Sequence, residues 1–355
     1  MRIPRPASAI AATEQQRYRP AFDGLRALAV LAVMTQHFVP DVQGGFIGVD
    51  VFFLLSGYLI TALLLEEHAR WGKINLAMFY IRRGLRLLPG LAVLFVLGGL
   101  FTWLRPLPLT MAFPWILVFV LGYVGNFVVV ASPLRLGYLN HTWSLAIEEQ
   151  FYLLWPLALG LLLAKMARVQ LGWLLVMLAF AIGILRAIIW LLLEVPAIRF
   201  VTPLRADGLL LGAALACALP ILAPRVRGWL RSPIPAIVAT IGLGIGVATL
   251  REIEAPLYLG GLSVVLGAAA VLLGHVELAP DGVLARILAT QPLPAIGRIS
   301  YGLYLFHFPV ALFWPGDDGL LGYALKIGGT FGLAISSYLL IERRALGLKA
   351  KFRRA

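Results

Sequence analysis

The feature that most constrains the fold of this chain is a succession of eleven apolar stretches, each about as long as an α-helix that crosses a bilayer. They lie at 22–39, 46–65, 87–104, 111–131, 144–164, 171–193, 207–222, 234–250, 256–274, 297–315 and 320–341. Hydrophobic residues make up 61% of the 355 residues and charged residues 13%, with a mean hydropathy of +0.90. Soluble domains do not have this composition. The sequence therefore predicts an all-α, polytopic integral membrane bundle.

The distribution of basic residues predicts the topology. Both ends of the chain are basic, so the positive-inside rule places both termini in the cytoplasm and requires an even number of crossings. Basic clusters within 68–86, 165–168 and 225–231 all become cytoplasmic if the stretch 111–131 is a re-entrant or extra interfacial helix. We therefore predict about ten transmembrane helices plus one such segment, with eleven spans as the alternative.

The same residues divide the chain and exclude some partners. We expect a basic cytoplasmic N-terminus at 1–20, a membrane domain at 21–342 and a basic cytoplasmic tail at 343–355. The net charge of +13 does not indicate a nucleic-acid partner, because the basic residues do not share one polar face. The single cysteine, Cys217, excludes an intramolecular disulfide, and no metal site is predicted.

Two ionisable side chains lie within the first apolar stretch. Arg26 and His37 are eleven residues apart, so on a helix they share one face at a separation of about 16 Å. Ionisable residues inside a membrane helix indicate function by default, because lipid solvates them poorly. The predicted topology places Arg26 toward the cytoplasm and His37 toward the outer side. An imidazole there could remove a proton from a substrate hydroxyl or act as a nucleophile.

Two further pairs carry charge near apolar segments. Arg83 and Arg86 share a helix face at the cytoplasmic start of the third span, where guanidinium groups suit phosphate recognition. The alternative is a basic anchor that follows the positive-inside rule. Glu148 and Glu149 are adjacent, so their side chains point about 100° apart on a helix. We expect one of them to face a polar cavity and the other to orient a neighbouring group or to cap the helix. Alternatively, either glutamate pairs with a buried arginine such as Arg205.

The remaining polar positions allow more than one interpretation. Asp50 could cap the second span or pair with an arginine or histidine. Arg205 and Asp207 open the seventh span, where we expect them to form a structural pair. His307 precedes Pro309, so it is either functional or part of a packed helix kink. The histidines that we expect to be solvated in or near loops are His68, His141 and His275.

A set of motifs in a fixed order points to a known family. After the arginine and histidine of the first span come FFLLSGYLI in the second, RRGLRLLPG at the third, TWSLAIEEQFYLLWP at the fifth and ISYGLYLFHFP near the end. From about Tyr18 to Glu342 the chain resembles the acyltransferase-3 family of membrane O-acyltransferases. The resemblance implies a multi-span enzyme that moves acyl groups, commonly acetyl, from cytoplasmic acyl-coenzyme A to acceptor hydroxyls. We expect the stand-alone form, without the SGNH hydrolase-like domain of some members.

The resemblance also implies roles for individual residues. It makes His37 the catalytic histidine, Arg26 its motif partner, Arg83 and Arg86 the donor-binding RxxR arginines, and Glu148 of the SLxxEE motif a functional carboxylate. Supporting roles are predicted for Asp50, Ser144, Glu149, Arg205 and His307.

The predicted reaction uses acyl-coenzyme A, with acetyl-coenzyme A favoured, as co-substrate and no metal. The acceptor would be a glycan, a lipid-linked glycan or a secondary metabolite on the outer side of a bacterial inner membrane, whose lipid surrounds the chain. His37, oriented by Glu148 or Asp50, would act as general base or carry the acyl group, and the sequence leaves both routes open. The alternative function is a transporter or flippase with an intramembrane Arg/His/Glu path. An inactive scaffold is a third possibility, and the oligomeric state is open.

Overall fold

The structure, a computed structural model, describes residues 19–104, 113–132, 136–314 and 319–348. Within these ranges the chain is helical and has no β-strand, which confirms the all-α prediction. In chain order the α-helices are α1 (Pro20–Phe38), α2 (Ile47–Trp71), α3 (Leu76–Leu104), α4 (Phe113–Leu121), α5 (Gly125–Ala131), α6 (Trp143–Leu163), α7 (Arg168–Leu193), α8 (Asp207–Ala218), α9 (Pro224–Arg231), α10 (Pro233–Thr249), α11 (Leu262–Leu278), α12 (Val283–Ala289), α13 (Leu293–Arg298), α14 (Ser300–Phe313), α15 (Leu320–Ser337) and α16 (Arg343–Leu348).

Short tighter or wider turns extend several of these helices. The 3₁₀ turns are Gly44–Phe46, Gly137–Thr142, Pro196–Phe200, Thr202–Leu204 and Leu219–Ile221, and the π-helical turns are Leu257–Gly261 and Tyr338–Glu342. Of the predicted tails 1–20 and 343–355, residues 1–18 and 349–355 lie outside the described residues.

The length and apolarity of the helices identify a multi-pass membrane protein. Among the described residues, six helical segments are long and apolar enough to cross a membrane, namely Gly44–Trp71, Leu76–Leu104, Gly137–Leu163, Arg168–Leu193, Leu257–Leu278 and Leu320–Leu348. Two bent helix pairs raise the number to eight if each pair is one span. The ten-span topology stays a prediction.

The two bent pairs fall on two of the predicted apolar stretches. Pro114–Leu121 meets Gly125–Ala131 at 119°, which is the geometry of a broken span or a re-entrant loop. The second bend lies at the end of the seventh predicted stretch, 207–222: Asp207–Ile221 is one helical segment, and it meets Pro224–Arg231 at 114°. Prolines at positions 220 and 224 lack the backbone N–H that a continuing helix would need, which explains the break.

Helix α1 lies inside the bundle. Because it contains several polar residues, it is not one of the six described helices that are long and apolar enough to cross a membrane. It packs against α2, α12, α13 and α14. Two glycines let the backbones meet: a Cβ on Gly24 would lie 2.1 Å from the carbonyl oxygen of Leu288, and one on Gly297 would lie 1.9 Å from that of Asp23. Helices from the last third of the chain therefore enclose the first helix.

One end of the bundle gathers basic side chains, and we call it the basic end. Arg19, just before α1, pairs with Glu277 near the end of α11 at 2.6 Å. Near the end of α2, the carboxylate of Glu67 pairs with Arg82 at 3.4 Å, and the carbonyl of Leu65 accepts a hydrogen bond from Arg168. His37, at the last turn of α1, lies at the opposite end of that helix.

Two buried ion pairs connect the helices around α8. The guanidinium of Arg186 on α7 binds the Asp207 carboxylate at 2.7 Å, with both side chains at most 5% exposed. Arg205 binds Asp50 on α2, also at 2.7 Å and equally buried. The predicted Arg205–Asp207 pair is therefore wrong, because Asp207 bonds to α7 and Arg205 bonds to α2. Of the two alternatives for Asp50, the arginine partner is the one observed.

Candidate active site

At the end of α1, one ring nitrogen of His37 has a hydrogen-bond partner among the described residues and the other has none. Its Nδ1 lies 2.9 Å from the carbonyl oxygen of Val33. A carbonyl oxygen only accepts hydrogen bonds, so Nδ1 carries the proton and the neutral ring keeps its lone pair on Nε2. The backbone therefore fixes the ring. The expected orientation by Glu148 or Asp50 is wrong, because the hydrogen bonds of these carboxylates go to other described residues.

Three imidazoles meet at this end of the bundle, and we call His37, His141 and His307 the histidine cluster. The ring centroids of His37 and His307 are 4.9 Å apart, and those of His141 and His307 are 5.5 Å apart. Phe308 packs against both His37 and His141 at 5.2 Å. The described residues contain no group of three His, Cys, Asp or Glu side chains arranged to hold a metal ion.

The two inner histidines also donate to backbone carbonyls. His141 Nε2 lies 3.1 Å from the carbonyl oxygen of Leu305, and His307 Nδ1 lies 2.6 Å from that of Tyr304. The other ring nitrogens, His141 Nδ1 and His307 Nε2, are buried and have no hydrogen-bond partner in the part of the chain that the structure describes. An unpaired buried acceptor costs about 1–3 kcal/mol, so these lone pairs can receive a proton donor from a neighbour.

Two histidines lie elsewhere than expected. His141 is 4% exposed and His275 is 2% exposed, so the prediction that both are solvated is wrong. The 3₁₀ turn that carries His141 packs against α14, and His275 Nδ1 donates to the backbone carbonyl of Leu230 at 2.9 Å. In the sequence, the polar turn directly before α6 resembled an exposed loop, and His141 was therefore predicted to be solvated. His68 lies in the last turn of α2 and is half-buried.

The two glutamates of α6 bind different partners. Glu148 accepts hydrogen bonds from the hydroxyls of Ser56 and Tyr152. Glu149 accepts one from Arg83 at 2.9 Å, and the Arg83 guanidinium lies 3.7 Å above the Tyr152 ring. One of the two therefore does neutralise an arginine, but that arginine is Arg83 rather than Arg205.

The arginines at the start of α3 differ in their pairing. Arg82 pairs with Glu67 and Arg83 with Glu149, whereas Arg86 has no carboxylate within salt-bridge distance among the described residues. Arg86 lies within electrostatic range of Arg26 and Arg83. Glu148 also lies within electrostatic range of Arg86, so the cluster holds both cations and a carboxylate. Arg26 itself contacts Asp23 at 3.2 Å.

Hydroxyl groups connect α6 to the histidine cluster. The hydroxyls of Ser144 and Tyr304 are 2.6 Å apart, and Tyr304 donates to the carbonyl of His141 at 3.0 Å. The Tyr304 ring packs 5.3 Å from that of His307. Ser144 thus lies beside the cluster, and Glu148 lies within electrostatic range of Tyr304.

Sequence reasoning missed three of these hydroxyl side chains. Tyr152 follows Glu148 by four residues, and Tyr304 precedes His307 by three, so each lies one helical turn from a predicted site residue. A search one helical turn from each predicted site residue would therefore have found both tyrosines. Ser56 lies on a different helix from its partner, Glu148, so no spacing within one motif could reveal it.

The comparison with known proteins decides the family. A family model described as an acyltransferase domain matches residues 19–341. The chain belongs to this family. The match confirms the resemblance inferred from the motifs. No solved structure matches the chain.

Two curated relatives are similar over almost all of this chain. O-acetyltransferase OatA of Staphylococcus aureus (strain NCTC 8325 / PS 47) is 33% identical over 356 residues, which cover 94% of this chain and 58% of that protein. Peptidoglycan O-acetyltransferase OatA of Listeria monocytogenes serovar 1/2a is 34% identical over 355 residues, which cover 92% of this chain and 56% of that protein. The chain thus spans somewhat more than half the length of these relatives.

Proposed function

We propose that this chain transfers an acyl group, most simply acetyl, from cytoplasmic acyl-coenzyme A to a hydroxyl of an envelope glycan on the outer side of a bacterial inner membrane. The observation that carries the proposal is His37, whose Nε2 has no hydrogen-bond partner among the described residues and which shares a helix with Arg26, whose charge lies near Arg86. The names of the two relatives favour acetyl as the group and peptidoglycan as the acceptor.

The basic end would receive the donor. Arg86, with Arg26 and Arg83 near it, offers guanidinium groups to the phosphates of coenzyme A, whose charge the lipid would not solvate. The distance along α1 from Arg26 to His37 is about 16 Å, which an extended pantetheine arm can cover. The nucleotide would therefore stay in water while the thioester reaches the histidine cluster.

Two reaction routes fit a neutral His37. In the first, Nε2 takes the proton of the acceptor hydroxyl, the oxygen forms a bond to the thioester carbonyl carbon, the C–S bond breaks, and the thiolate of coenzyme A takes that proton. In the second, Nε2 forms a bond to the carbonyl carbon and the thiolate leaves. The acceptor oxygen then forms a bond to the acyl carbon, the bond between that carbon and Nε2 breaks, and the proton of the acceptor hydroxyl passes to the thiolate of coenzyme A, which leaves His37 neutral.

The other imidazoles would stabilise the protonated intermediate. When His37 Nε2 gains a proton it becomes a donor, and the neighbouring His307 has a buried Nε2 without a partner. A hydrogen bond to that nitrogen would hold the imidazolium in place until the proton leaves. His307 is thus a positioning residue in this proposal.

The experiment that tests the function uses the purified chain in lipid vesicles without an ion gradient. We expect radiolabel from acetyl-coenzyme A to appear on soluble peptidoglycan strands. Transfer that occurs without a gradient separates an acyltransferase from the transporter alternative, because a transporter moves its substrate down an imposed gradient and forms no ester. Gradient-dependent flux with no labelled ester would overturn the proposal.

Replacing Arg86 by glutamine should weaken donor binding. The lost charge-assisted hydrogen bonds predict a KM for acetyl-coenzyme A that rises by about tenfold or more. The measurement is initial rate against donor concentration in vesicles. Arg70→Gln is the matched control, because Arg70 is also a helical arginine near the basic end but is exposed and pairs with Glu66. Equal KM values for both variants would contradict a donor role for Arg86.

A further inference from the structure

Helix α9 is a short basic helix that the proposed reaction does not use. Its eight residues, PRVRGWLR, include three arginines and no acidic residue. The preceding segment, Asp207–Ile221, meets it at 114°, so α9 runs closer to the perpendicular of α8 than to its axis. Since α8 packs against α2 and α7, which are both long and apolar enough to cross a membrane, α9 is placed to lie along the membrane surface.

Contacts with α11 fix the position of α9. Leu230 of α9 is buried, and a Cβ on Gly274 of α11 would lie 3.3 Å from its Cδ2 atom. The ring of His275 donates to the backbone carbonyl of Leu230 at 2.9 Å. Arg231 Nε donates to the carbonyl of Leu278, the last residue of α11, at 3.2 Å. One side of α9 is therefore held against the bundle, and its remaining surface points away from it.

The arginines of α9 carry charge that no carboxylate neutralises within the described ranges. Arg225 and Arg231 are exposed, and none of the three arginines has a carboxylate at salt-bridge distance in the part of the chain that the structure describes. Arg227 and Arg231 donate to backbone carbonyls instead. Glu277, in the last turn of α11, pairs with Arg19 at 2.6 Å and belongs to the basic end. Three positive charges therefore collect at the surface of this end.

Exposed apolar side chains lie among these arginines. Trp229 is 53% exposed and Val226 is 45% exposed. Trp229 follows Arg225 by four residues, so the two side chains lie one turn apart on the same side of the helix. Tryptophan is enriched at the boundary between membrane and water, where its ring lies at the level of the lipid headgroups. Cationic groups beside an exposed tryptophan are typical of a helix that lies in this boundary.

We propose that α9 lies in the membrane interface at the basic end and binds the phosphate groups of anionic phospholipids. Arg225, Arg227 and Arg231 would donate to the phosphate oxygens, and Trp229 would insert its ring among the headgroups. Charge complementarity favours an anionic lipid over a zwitterionic one, because only the anionic lipid brings net negative charge to the three arginines. The inference does not rest on the proposed acyl transfer.

The test measures lipid binding to the purified full chain by native mass spectrometry, with phosphatidylglycerol and phosphatidylcholine of the same acyl chains. Each basic residue near an anionic lipid surface contributes about fivefold in affinity, so Arg225→Gln should raise the Kd for phosphatidylglycerol about fivefold and Arg225→Gln/Arg231→Gln about 25-fold. Neither variant should change the Kd for phosphatidylcholine. Arg225→Lys/Arg231→Lys keeps both charges and should raise the Kd for phosphatidylglycerol by less than about threefold.

Arg70→Gln is the matched control, because Arg70 is an exposed arginine near the same end that already pairs with Glu66. We expect it to bind phosphatidylglycerol as the unmodified chain does. Equal weakening by Arg70→Gln and Arg225→Gln would overturn the proposal, since binding would then depend on overall charge and not on α9. Equal Kd values of the unmodified chain for the two lipids would also overturn it, and the charged face would then be left to water or to an acidic protein.

Two further measurements locate the site and identify the source of the phosphate. A photoactivatable phosphatidylglycerol, cross-linked to the unmodified chain, should label peptides within 221–234, and this readout needs no variant to fold. Labelling confined to other peptides would overturn the proposal. Inorganic phosphate added at millimolar concentration should leave phosphatidylglycerol bound. If it displaces the lipid, the arginines bind a soluble anion and the lipid proposal is overturned.

Discussion

Replacing His37 by alanine is expected to lower the rate of acyl transfer by about 10²- to 10⁴-fold, the usual effect of losing a general base. A route through an acyl-imidazole predicts a loss at least as large, because the nucleophile itself is removed. The measurement is label transfer from acetyl-coenzyme A to peptidoglycan strands at saturating donor. Trapping an acylated His37 in the unmodified chain would choose the second route.

The control for this variant is His68→Ala, which removes a half-buried imidazole near the basic end of α2. We expect it to transfer acyl groups at the rate of the unmodified chain. Binding of acetyl-coenzyme A to the His37 variant should persist, because the arginines that would hold the phosphates are unchanged. A His37→Ala chain that folds and keeps most of its activity would remove His37 from the reaction.

The second large effect concerns stability. Replacing Arg186 by leucine leaves the Asp207 carboxylate, which is 5% exposed, without its ion-pair partner. Breaking a buried pair in this way costs about 3–5 kcal/mol. We therefore expect a clearly lower Tm in detergent and a smaller yield of folded protein. The double variant Arg186→Leu/Asp207→Leu should recover most of the loss, because it leaves no unpaired buried charge.

The control for the ion pair is an exposed one. Arg251 and Glu254 are 3.5 Å apart with side chains 57% and 47% exposed, and surface pairs of this kind contribute little to stability. Arg251→Leu should therefore leave the Tm nearly unchanged. If Arg186→Leu has no larger effect than Arg251→Leu, the buried pair does not hold α7 against α8.

How far the sequence predicts this molecule depends on the range of the interactions. Apolar periodicity and length are local properties, and they located helices close to every apolar stretch. They did not predict the bend between α8 and α9, where Pro224 begins the second helix, because hydropathy does not register a missing backbone donor. The same limit applies to the span count, since hydropathy does not distinguish a straight helix from a bent pair.

The partners of the charged residues were harder to predict. Arg205 and Asp207 are close in sequence, but α2 and α7 supply their partners, Asp50 and Arg186. Pairing in a helical bundle depends on which helices become neighbours, and no motif spacing contains that information. The histidine cluster likewise joins three distant segments of the chain. Side chains one helical turn from a motif residue, such as Tyr152, could have been predicted from the sequence.

The enclosure of α1 has a consequence for how the protein is made. This helix leaves the ribosome before the rest of the bundle, yet it is not apolar enough to cross a membrane alone. The helices that meet its backbone through Gly24 and Gly297, α12 and α13, are synthesised late, after α2 to α11. Helix α1 is therefore among the first elements translated, but its contacts with α12, α13 and α14 can form only after most of the chain has been synthesised.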